Sequence, residues 1–238
     1  MSFTPLFDRF ALGSAEQQEH AQEVVGGHPF TADLSRGVVG FEPGLEVRAE
    51  LIGTEADNPG SWMWAWANPS GFPDRVTAAA RHARAYGEQQ GVTELTTGEI
   101  PLDGTALGYR LAVVTCGLAG GYAYYPATAA PGTTAYLLLD HPSLALPPVQ
   151  LTRTLGVLTA VSASGQIADW RHALFSYAQQ RGLEVRPAER WVELVHPGDQ
   201  SSIRVDLDEL GRVANIAGRL QPIDPPEPKR RRFGLRKF

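Results

Sequence analysis

Trp62-Met63-Trp64-Ala65-Trp66-Ala67 is the stretch on which the fold turns. In an extended segment successive side chains point to opposite faces, so this alternation sets three indoles on one side and Met63, Ala65 and Ala67 on the other. The methyl-sized face admits a helix at close range. An Ala-rich segment beginning at Pro73 supplies one, because Val76, Ala79, Ala80, Ala83 and Tyr86 recur at helical spacing with Thr77, Arg81, Arg84 and Glu88 opposite. The indole face needs a second layer or becomes the wall of a groove, and each indole N–H needs an acceptor once buried. Trp62, Trp64 and Trp66, with Asn68 at the strand end, are therefore the candidate ligand-binding residues. The plain alternatives are core packing of the same rings and capping of the turn Pro69-Ser70-Gly71 by Asn68.

Working outward, residues 37–41 and 45–53 read as strands parted by Glu42-Pro43-Gly44, and short turns join them to the Trp strand as an antiparallel meander. Ser14 and Gln17 resemble a capping box for a helix over 14–25 that stops at Gly26-Gly27. Downstream, a helix capped by Asp103 runs to Cys116 and is apolar nearly all round, which predicts burial. Residues 122–125 and 133–139 flank Ala-Pro-Gly as a hairpin. Helices follow from Pro147-Pro148 to about 163 and over 167–181, and strands over 190–196, 202–207 and 212–217 close the chain. The expected fold class is α+β, antiparallel meanders packed against four to five helices. The expected organisation is a body over 1–164 with the Trp-rich strand, an αβββ module over 165–220 able to share its core, and a Pro-rich basic tail over 221–238.

At Trp62-Met63-Trp64-Ala65-Trp66-Ala67-Asn68 the chain resembles a bacterial family of unknown function whose members carry Trp-x-Trp-Ala-x-Ala-Asn before a helix. The resemblance is best over that strand and helix and extends loosely over residues 10–180. It implies a shared fold and brings no activity, substrate or catalytic residue with it.

A chain of 238 residues at 43% hydrophobic composition has enough apolar side chains for a sizeable core. No apolar run reaches the roughly 18 residues of a spanning helix, and the N-terminal dozen lacks the pattern of a secretory signal. Cys116 stands alone, so neither an intramolecular disulfide nor a thiolate zinc site can form, as expected of a cytoplasmic protein. Residues 1–228 set 15 arginines against 26 acids, a balance of −11 that makes the body a poor general nucleic-acid binder.

Candidate chemistry is sparse. Asp140-His141, at the end of a buried strand, is the candidate acid–base pair, with His196 as a further histidine. Pro142 after them also explains both as turn residues. Glu16, Glu19, His20 and Glu23 have ligand spacing on a helix but read as a solvated face. Asp206, Asp208 and Gly211 begin like a calcium loop that Leu210 and Ala217 break. No metal or cofactor is expected. The tail interleaves Lys229, Arg230, Arg231, Arg232, Arg236 and Lys237 with Phe233, Leu235 and Phe238, a pattern suited to an anionic surface. The leading functional expectation is a non-enzymatic module binding a protein or a small ligand. A hydrolase-like enzyme using Asp140 and His141, and an adaptor binding anionic membrane or nucleic acid through the tail, are the alternatives.

Overall fold

A computed structural model describes residues 2–120 and 123–219. These form six helices, of which α3 (Thr93–Thr96) is a single turn, and two antiparallel sheets, an α+β architecture. The basic tail cations lie outside the described residues.

The spine of the first sheet is β3 (Leu45–Ala56). Its first half pairs with β2 (Val38–Phe41), which pairs outward with β1 (Phe30–Asp33). Its second half pairs on the same edge with β4 (Ser61–Trp64), backed by β5 (Glu99–Pro101). The opposite edge of β3 carries β7 (Thr133–Asp140) and then β6 (Tyr124–Ala130), with a register shift between Leu51 and Gly53. Alternation along β3 puts Arg48 and Glu50 on one face, and the register sets Arg48 opposite Asp140 and Glu50 opposite Leu138.

The Trp segment is extended only to Trp64, and Ala65–Ala67 forms a single 3-10 turn. The covering helix also differs from the expected one. Trp62, rather than the alanines, faces it: Trp62 packs on Tyr136, with ring centroids 5.5 Å apart, and against Gly108 in α4 (Leu107–Ala119), while Trp66 lies against Arg84 of the Ala-rich helix. Gly108 and Gly53 carry that close approach, since a Cβ at Gly53 would collide with the Trp62 ring and one at Gly108 with Tyr136 and Glu55. The Ala-rich helix α2 (Ala78–Gln90), preceded by a 3-10 turn over Asp74–Val76, packs on β3 beside it.

α1 spans Phe3–Val25, eleven residues longer at its start than the capping box suggested. It lies between α4 on the first sheet and the pair α5 (Leu151–Ser164) and α6 (Trp170–Arg181) on the second, and so buries residues on more than one side. Gly13 lies inside this helix where the Gln180 side chain comes close, so that a Cβ there would collide with it. The second sheet has the order β11 (Val213–Arg219), β10 (Ser202–Leu207), β9 (Trp191–Val195), β8 (Glu184–Pro187). β8 adds a strand to the three anticipated. Asp8 of α1 reaches this region, accepting hydrogen bonds from the backbone N–H groups of Ala168 (3.2 Å) and Asp169 (2.9 Å).

Candidate functional site

Where β3 and β7 run side by side beneath the start of α2, they leave a polar cleft of about 530 Å3. Its floor is Leu138, Ala79 and Glu50, and the end of α4 at Ala119 and Gly120 forms one wall. Glu50 is 6% exposed. Its Oε2 accepts the Ala79 N–H at 2.7 Å, satisfying one of the donors that every helix start leaves open, and α2 has no side-chain cap of its own. Its Oε1 accepts from the guanidinium of Arg48. Arg48 also approaches Asp140, Nη1 to Oδ2 at 3.6 Å, and His82 of α2 borders the same space.

The cleft is thus built from a buried, fully engaged carboxylate, a half-exposed arginine bridging two acids, and an exposed imidazole. An isolated carboxylate under a helix would be costly, and Arg48 and the helix N-terminus together offset that cost. Counting Arg48 against Glu50 and Asp140, one negative charge is left over, with donors and acceptors of both kinds at the rim.

Asp140 belongs to this cleft and His141 does not. As neighbours on an extended backbone they point apart, and the His141 ring turns to the following 3-10 turn, where Nδ1 accepts the Ser143 N–H at 3.1 Å. His196 is engaged with its own turn, Nδ1 lying 3.2 Å from Gly198 N and 3.2 Å from Asp199 Oδ1. Of the three indoles, Trp62 and Trp64 have no exposed surface. Trp64 donates its ring N–H to the carbonyl of Glu94 at 3.0 Å, and only half-buried Trp66 reaches the surface, with Arg84 over its ring at 4.5 Å. The Asn68 side chain accepts the Ser70 N–H at 2.9 Å. Among the described residues no group of side chains has the makings of a metal site. On α1, Glu16 is buried against Arg181 while Glu23 pairs with Arg153 at 2.8 Å.

Arg48, Glu50 and His82 escaped the sequence reading because the cleft joins segments as far apart as Arg48 and Asp140. One signal was present, the alternation of charged Glu46, Arg48 and Glu50 with apolar Val47, Ala49 and Leu51 in β3, which places the charged heads on one face.

A model of a family of unknown function (DUF6882) matches residues 4–142. That span holds α1 to β7, and with them every residue that lines the polar cleft. No curated protein and no solved structure matches the chain. None of the helices among the described residues is long and apolar enough to cross a membrane.

Proposed function

The chain belongs to that family, and we propose that it is a non-enzymatic binding module whose ligand, a small polar molecule, occupies the cleft between α2 and the β3–β7 pair. The observation that carries this reading is the buried Glu50, held between Ala79 and Arg48 at the base of an open cleft. Capping α2 needs only one acceptor. A strand Ser or Thr supplies that without burying a charge, whereas Glu50 also fixes Arg48 across the cleft floor towards Asp140. Such an arrangement presents oriented donors and acceptors whose positions are set before a ligand arrives.

The non-enzymatic part rests on how the acids are used. Both Glu50 oxygens are already engaged, and Asp140 is paired with Arg48, while His82 lies on α2 at the rim of the same cleft. The test is a thermal-shift and calorimetric screen of neutral sugars, amino acids, nucleosides and small amines against the wild type, Arg48→Ala and Asp140→Asn. At 100 times Kd a bound ligand adds about 2.7 kcal/mol to stability. At least one class is expected to raise the melting temperature of the wild type and to lose that effect in Arg48→Ala. If no class does so, or the effect survives both substitutions, the reading fails.

A further inference from the structure

A second cleft, of about 380 Å3, opens on the α1 side of α4, with Gly120 bordering both. We propose that it is a separate ligand site, for a neutral molecule with a carboxamide-like head on an aromatic or branched apolar body. Phe10, Val113 and Leu146 give it apolar walls, and Cys116 adds a thiol that burial keeps protonated, its pKa pushed up to about 12.

The head group follows from two residues that line the same space. Gln17 is only 8% exposed; its Nε2 donates to the Leu144 carbonyl at 2.6 Å, which fixes the amide orientation and leaves Oε1 without a hydrogen-bond donor among the described residues. Arg181 comes from the end of α6. Its Nη2 donates to Glu16 Oε1 at 3.2 Å and to the Pro147 carbonyl at 2.9 Å, and its Nε stands 2.8 Å from Glu16 Oε2 without hydrogen-bond alignment. Nη1 is the nitrogen left without a partner among the described residues. The cleft therefore offers one fixed acceptor and one fixed donor in apolar surroundings, and an amide supplies the complementary N–H and C=O together.

Charge selects against the alternatives. Glu16 has no exposed surface, and the Tyr177 hydroxyl donates to its Oε2 at 2.8 Å with Thr154 behind it at 3.0 Å, so Arg181 is already neutralised. A carboxylate ligand would place a second anion on the same guanidinium and leave Gln17 Oε1 without a donor. An ammonium ligand would face Arg181 directly.

Benzamide, benzoate and benzylamine share a ring and differ in head charge, so an NMR titration of the whole chain with each is the test. Benzamide is expected to show intermolecular NOEs to the Val113 and Leu146 methyls. Benzoate and benzylamine are expected to bind about tenfold more weakly or worse, Gln17→Leu to weaken benzamide by about tenfold, and Arg48→Ala in the other cleft to leave it unchanged. Absence of those NOEs, equal binding of a charged analogue, or full binding by Gln17→Leu overturns the proposal. Should Gln17→Leu fail to fold for want of a donor to Leu144, Ser14→Phe fills the cleft from the face of α1. Persistence of the benzamide NOEs in that variant overturns the proposal equally.

Discussion

Among the described residues three carboxylates sit below a tenth of their exposed surface, and each is held by a different set of donors. Glu50 has a helix start and Arg48, Glu16 has Arg181 and Tyr177, and Asp8 has only two backbone N–H groups. Burial consequently dominates at Asp8 and raises its pKa above the ordinary 3.8, the backbone hydrogen bonds to Asp169 and Ala168 opposing it. The folded state then holds the Asp8 proton more tightly than the unfolded chain does. Its contribution to stability is fully present below pH 3.8 and declines as pH rises through the raised value. Exposed Asp103 and Asp199 and half-buried Asp33, Asp206 and Asp208 have lowered values through hydrogen bonds and act with the opposite sign, losing their contribution as pH falls below about 3.8. The contribution of Asp8 itself is isolated by Asp8→Asn. Urea unfolding at pH 4 and pH 7 should show a larger stability loss from this substitution at pH 4, and an equal or smaller loss there would contradict the assignment.

At the scale of elements, glycine positions separate packing from propensity. Gly53 pairs with Trp64 and lies under the Trp62 indole, so Gly53→Ala forces ring or backbone to move and should cost about 1–3 kcal/mol. Gly156 is exposed within α5 with open space where a Cβ would stand, so Gly156→Ala should stabilise by about 0.5–1 kcal/mol. Denaturant midpoints of the two variants check both signs. The period-two pattern of residues 202–207 and the helix ending at Gly182 were legible because local periodicity and a terminator agree there. The start of α1 was not, since Gly13-Ser14 mimics a boundary and the contact of Gly13 with Gln180 is visible only in the fold. β8 was missed because Glu184–Pro187 is short and closes with a proline, and its pairing with β9 is visible only in the sheet. The Trp segment read correctly as far as Trp64. Its turn at Ala65 and the glycine that lets α4 approach Trp62 depend on partners far away in sequence.

For the whole molecule, two clefts share the end of α4 while drawing on different parts of the chain. The polar one lies entirely within the family-matched residues, and the apolar one also takes Leu146, Gln180 and Arg181 from beyond them. None of these groupings was legible along the sequence, because each cleft is made where strands, helix ends and loops of distant segments converge. Charge distribution, by contrast, reads directly from composition. Removing residues 229–238 takes away six cations and moves the net charge from −5 to −11. If the tail attaches the body to anionic surfaces, at up to about 1 kcal/mol per cation, co-sedimentation with phosphatidylserine vesicles should be lost on that deletion and suppressed by salt in the intact chain. Undiminished sedimentation of the truncated chain would contradict it.

Crystals of the full chain soaked with a set of small polar fragments give the most direct view of the central claim. Fragment density is expected to recur between α2 and the β3–β7 pair, hydrogen-bonded to Arg48 or Asp140, with Glu50 unmoved from Ala79. Density confined to other surfaces, with that cleft holding only solvent in every soak, would contradict the account.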